Sequence, residues 1–207
     1  NNSITIAYNR NTEVCGLIYF TSKEIAEISI CASLWGVLNS IFSPIFFRMF
    51  RLPFLCDLIG FSILTIAAIW IRKFGGITMI GLVATAINFL FNPGGIHFLG
   101  FTIASIFFDI LVKIIGYNTI VKKAVHVFVF MIPISTFSAA LAGYIIGIFF
   151  MATPVLTMWG GVLGWAGLHA AGGIIGGIIG TILVNALLSR NVIVIPSQET
   201  VTTSSGV

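Results

Sequence analysis

The chain has 207 residues, of which 58% are hydrophobic and 8% charged, with a formal net charge of +4. An ordinary soluble domain carries about 25% charged residues. The composition excludes a soluble globular domain and predicts an all-α integral membrane protein, built from apolar spans of about 20 residues, each able to cross some 30 Å of hydrocarbon.

Residues 1–22 are polar and rich in Asn, with a short alternation at Ile4, Ile6 and Tyr8 that fits a strand, an interfacial segment or disorder. No basic-then-apolar opening reads as a cleavable signal, so the spans themselves are expected to direct insertion. A transmembrane domain over 23–190 follows. Its first span is predicted at about 23–43, ending before Pro44, because proline removes a backbone donor and disfavours helical geometry in the residue before it. The connector "PIFFRMFRLP" carries bulky apolar side chains around Arg48 and Arg51, and suits a loop or short helix lying on the membrane surface.

The second span is predicted at about 55–71, stopping at Arg72, Lys73 and Gly75, and the third at 76–91. "NPGG" is then a turn. The remaining spans fall at about 97–115, 124–150 and 160–188, the last two long enough to need tilt or overhang. The tail, 191–207, is poor in apolar residues and reads as disordered.

Orientation follows from the basic residues, since short loops rich in Lys and Arg stay cytoplasmic. With six spans, Arg10, Lys23, Arg72, Lys73, Lys113, Lys122, Lys123 and Arg190 fall on one side, and Arg48 and Arg51 on the other. Eight against two places both termini in the cytoplasm, and the stretches "FNPGGIHF" and "MATPVLTM" outside. The positive balance is thereby accounted for by topology and implies no nucleic acid.

Two helices carry small-residue stripes, which let helices approach closely in membranes. In the first span Ala32, Gly36 and Ser40 repeat every four residues, fitting either packing within the chain or a docking face for a partner. In the sixth, Gly160, Gly164, Gly172, Gly176 and Gly180, with Gly173 and Gly177, read as packing. Polar groups in hydrocarbon are costly and face the bundle interior or a cavity. Asp57, Asn88, Asn92, His97, Trp165 and His169 map to the outer half, with Trp159 beside them, and form a candidate ligand site. Indoles and imidazoles stack on a flat heteroaromatic ring, and a carboxylate suits a cation or ring amine. Asp109 and His126 fall towards the cytoplasm and read as structural, with Lys113 one turn from Asp109 and placed to pair with it.

Cys15, Cys31 and Cys56 have neither disulfide nor zinc spacing and read as small hydrophobes. There is no GxxxxGK[ST] phosphate loop, no HExxH and no nucleophile with its base, so neither ATP hydrolysis by that route nor enzymatic activity is expected, and no cofactor is implied.

Six spans with both ends inside, the stripe on the first, the connector after it and "RKFGGITMIGLVATAINFLFNPGGIHFLGFTIASIFFDILVKIIGY" at 72–117 together resemble the S components of energy-coupling factor transporters. In that family the third span opens with Gly after a basic cytoplasmic turn and ends in a Gly- or Pro-containing outer turn. Lys73, Gly75, Gly76, Pro93, Gly94, Gly95 and Gly100 stand in those places. The resemblance covers residues 23–188 and is nearest the branch associated with thiamine or its pyrimidine precursor. It departs from that branch at Asn88 and Asn92, which stand where an acidic residue is expected. It implies a cell-membrane subunit that captures a small vitamin-like substrate in an outward pocket, working with a transmembrane scaffold subunit and ATPase subunits. It also implies a docking role for Ala32, Gly36 and Ser40. Two alternatives stay open: a noncatalytic accessory subunit of a larger membrane complex, and a redox subunit using His97 and His169 as metal or haem ligands.

Overall fold

The computed structural model describes residues 19–190 and 192–193. The opening polar segment up to residue 18 and nearly all of the tail lie outside these residues, as do the expectations placed on them. The described residues form eight helices in the order α1 (Ser22–Phe50), α2 (Phe54–Ile71), α3 (Gly76–Phe91), α4 (Phe98–Ile115), α5 (Tyr117–Val121), α6 (Ala124–Phe149), α7 (Thr153–Met158) and α8 (Gly161–Ser189). Five of them, α1, α2, α4, α6 and α8, are long and apolar enough to cross a membrane. The remaining apolar helix, α3, has 16 residues. At 1.5 Å per residue it spans about 24 Å, somewhat short of a typical hydrocarbon core. This is the architecture of a multi-pass membrane protein.

The six longer helices pack in a closed ring, α1 to α3 to α4 to α6 to α8 to α2 and back to α1. The small residues explain the closest seams. On α8, an added Cβ at Gly172 would lie 2.8 Å from the Phe54 carbonyl oxygen, and one at Gly176 would lie 2.9 Å from that of Asp57. One residue further round, a Cβ at Gly173 would lie 2.7 Å from the Ser135 carbonyl on α6. Glycine on both sides lets α8 wedge between α2 and α6 with backbones nearly touching.

The first helix corrects the sequence reading. It does not end at Ser43 but runs through Pro44 to Phe50, absorbing most of the expected interfacial connector. Proline at 44 leaves the Ser40 carbonyl without its helical donor. Asn92, from the turn after α3, supplies one: its Nδ2 donates to the Ser40 oxygen at 3.3 Å. A side chain from a neighbouring element thus repairs the interrupted ladder, and the helix continues. At its other end α1 is started by a capping box, Thr21 with Glu24. Glu24 is also 3.1 Å from Lys73, tying this end to the turn before α3.

The Ala32, Gly36 and Ser40 stripe is covered within the chain. All three are buried, a Cβ at Gly36 would lie 2.7 Å from Ile87 on α3, and Ser40 Oγ donates to Asn88 Oδ1 at 3.0 Å. The reading of these residues as a partner-docking face gives way to packing of α1 on α3.

Asp109 is likewise structural, but not through Lys113. Its Oδ2 accepts from the Gly75 and Thr78 amides at 2.8 and 3.1 Å and from Thr78 Oγ1 at 2.8 Å. A carboxylate here satisfies orphan donors at the start of α3 and complements its dipole. Lys113 instead lies 4.1 Å from the Phe74 ring centroid.

Candidate functional site

At the end of the ring opposite the first residue of α1 and the last of α8, the helices part around a cavity of about 630 Å³. Six helices contribute to its wall: Ser43 and Phe47 from α1, Cys56 from α2, Phe91 from α3, Phe98 and Phe101 from α4, Ile146 from α6, and Trp165 and His169 from α8. Residues of the turn from Asn92 to His97 and of the segment from Phe150 to Ala152 also line it, as does the exposed Arg48. The volume lies within the ~300–1,000 Å³ typical of small-molecule sites, and the wall is mostly aromatic and aliphatic with a few polar groups.

The deepest polar groups come from one face of α8. Trp165 and His169 are four residues apart, so both point the same way. They are 1% and 2% exposed, and their ring centroids are 5.6 Å apart. Phe47 meets Trp165 edge-on at 6.3 Å, and Phe101 lies 5.9 Å from His169. His169 Nδ1 is hydrogen-bonded to Asp57 Oδ1 at 3.1 Å, with Oδ2 only 2.8 Å away. Asp57 is fully buried in the first turn of α2, where the helix dipole favours a carboxylate. Two glycines make room for this pair. A Cβ at Gly172 would lie 2.7 Å from that of Asp57, and one at Gly143 on α6 would lie 2.7 Å from the His169 ring.

Two polar atoms of these deep residues, Trp165 Nε1 and His169 Nε2, have no hydrogen-bond partner among the described residues. Buried polar groups are normally paired, and leaving one unpaired costs about 1–3 kcal/mol. Both atoms belong to residues that border the cavity.

Of the seven ligand residues expected from sequence, the cavity brings together four: Asn92, His97, Trp165 and His169. Asp57 stands one step back, reaching the cavity only through His169. Asn88 is not in the wall. It is buried between α1 and α3, where its Oδ1 accepts from Asn39 and Ser40 and its Nδ2 donates to the Ala84 carbonyl at 2.8 Å. Trp159 ends α7 outside the cavity. Asn92 has a structural role as well, since it holds the Ser40 carbonyl.

The sequence reading missed Phe47, Phe98, Phe101 and Cys56. No signal distinguishes a cavity-lining Phe from a lipid-facing one in a chain with 19 of them. Cys56, read as a small hydrophobe, fills that role in the wall. Among the described residues no group of three or more His, Cys, Asp or Glu side chains is placed to hold a metal ion.

Comparison with known proteins adds nothing to this geometry, since no protein family, curated protein or solved structure matches the chain.

Proposed function

We propose that this chain is the substrate-binding subunit of a membrane uptake system for a small, flat, vitamin-like molecule. In this reading it is a noncatalytic cell-membrane protein with six spans and both termini cytoplasmic. A separate transmembrane scaffold subunit and ATPase subunits supply the energy. The observation that carries the proposal is the cavity of about 630 Å³ at one end of the bundle, bordered by Trp165 and His169, whose buried ring nitrogens Nε1 and Nε2 lack hydrogen-bond partners among the described residues. The resemblance to S components, with its basic turn before α3 and Pro-Gly-Gly turn after it, supports the partners and the direction of transport.

The charge pattern supports the orientation. Arg48 and Arg51 are at the cavity end, whereas Lys23, Arg72, Lys73, Lys122, Lys123 and Arg190 flank the opposite ends of the helices. By the positive-inside rule the cavity then opens outward. The partner subunits meet the chain through surfaces other than the Ala32, Gly36 and Ser40 stripe, which α3 covers.

Calorimetry on the purified chain with a panel of vitamins and precursors tests the proposal. Saturable binding of one compound, weakened about tenfold or more by His97→Ala, supports it. Failure of every compound to bind, together with co-purification of unrelated membrane subunits, would favour the accessory-subunit reading.

A further inference from the structure

His169 carries two nitrogens with different fates. Nδ1 faces both oxygens of the Asp57 carboxyl, which is itself fully buried, and an ionised carboxylate there accepts a hydrogen bond from a protonated Nδ1. With the single proton of a neutral ring on Nδ1, Nε2 is bare and presents a lone pair. It belongs to a residue that is 2% exposed and borders the cavity, and it has no hydrogen-bond partner among the described residues. One turn away, the indole Nε1 of Trp165 is a donor without an acceptor among the described residues.

We propose that Asp57 is a positioning residue that locks His169 in its Nδ1–H tautomer, so that one acceptor and one donor stand on successive turns of α8 in residues that border the cavity. The site thereby selects a flat ring whose polar edge carries an N–H or O–H donor next to an acceptor, as in a lactam. This rests on the reading of the cavity as a ligand site and adds the class of ligand. Selectivity arises because a ring lacking the donor leaves Nε2 unpaired in a mostly apolar wall. Asp57 never touches the ligand; its effect runs through the histidine.

The chain has only three histidines, which makes the tautomer directly observable. The full-length protein, labelled with 15N in histidine and held in lipid nanodiscs, is examined by NMR without ligand, with His169→Gln used to assign the signal. His169 is expected to have a protonated-type Nδ1 and a bare-type Nε2. In Asp57→Asn the amide offers either an oxygen or an N–H to the ring, so the lock is released and a protonated Nε2 appears.

Binding is then measured with two probes, 2-quinolone and its N-methyl derivative, in which a methyl replaces the donor hydrogen. The added bulk is the same for wild type and Asp57→Asn, so the change in preference between the two chains reports the donor. The wild-type chain is expected to prefer 2-quinolone by about tenfold or more, and Asp57→Asn to lose most of that preference. A protonated Nε2 in the wild type, or an unchanged preference in Asp57→Asn, overturns the proposal. Binding of neither probe overturns the ligand class. The ligand-free tautomer decides the positioning role by itself, so its outcome is separate from the success or failure of the uptake reading.

Discussion

Proline inside α1 gives the sharpest stability test. Pro44 deprives the Ser40 carbonyl of its helical donor, and Asn92 Nδ2 replaces that donor at 3.3 Å. Replacing Asn92 with Ala leaves a carbonyl in a largely buried position without a partner, which costs about 1–3 kcal/mol. Asn92 itself is half-buried, so some water reaches the site and the lower part of that range, about 1–2 kcal/mol, is expected. Pro44→Ala restores a backbone N–H four residues after Ser40, which competes for the same oxygen. In that background Asn92→Ala is expected to cost much less. A double-mutant cycle on ligand-free protein, followed by denaturant unfolding in mixed micelles, measures the difference. A coupling of about 1 kcal/mol between positions 44 and 92 is expected. Equal costs of Asn92→Ala in both backgrounds would refute the repair of the proline gap and leave Asn92 as a cavity residue alone.

Other substitutions test the remaining seams. Gly36→Leu is expected to destabilise the isolated chain by at least about 1–3 kcal/mol, because its Cβ alone would meet Ile87 at 2.7 Å. A stable Gly36→Leu chain that fails to assemble with partners would instead restore the docking role. Gly143→Ala places a methyl 2.7 Å from the His169 ring, and is expected to weaken ligand binding about tenfold or more with a smaller loss of stability, as read by calorimetry and thermal unfolding. Asp109→Ala removes the acceptor for three donors at the start of α3, and is expected to cost about 2–3 kcal/mol in unfolding while leaving ligand affinity unchanged. Cysteine introduced at Gly94, on the cavity side, is expected to react with an impermeant reagent added outside intact cells, whereas one at Phe74 is not. The reverse pattern would turn the cavity inward.

The element boundaries were legible where the sequence carries punctuation. Gly75 with a φ of +87° starts α3 as expected, and the apolar run to Phe91 ends at the Asn-Pro-Gly-Gly turn. Pro44 misled because its cost is local, whereas its remedy comes from Asn92, 48 positions along the chain. The same distance effect governs Asp109. Lys113 is the obvious partner one turn away, but the amides of Gly75 and Thr78 reach the carboxylate through the fold. Polar residues in apolar spans did point to the interior, as Asp57, Asn88 and His169 all prove buried. Their roles diverge by depth and direction, which depend on how each helix is rotated. In a membrane chain rotation is hard to read, since lipid-facing and core-facing positions are equally apolar. Phe101 is 1% exposed beside His169, whereas Phe137 is 65% exposed, and nothing in their immediate sequence separates them.

Mass spectrometry of compounds extracted from the purified chain, with His169→Leu purified in parallel, tests most directly the claim that the cavity holds a small molecule against His169. The wild type is expected to retain a small ring compound that the variant loses while remaining folded. Equal retention by both chains, or no compound enriched over a control membrane protein, would contradict it.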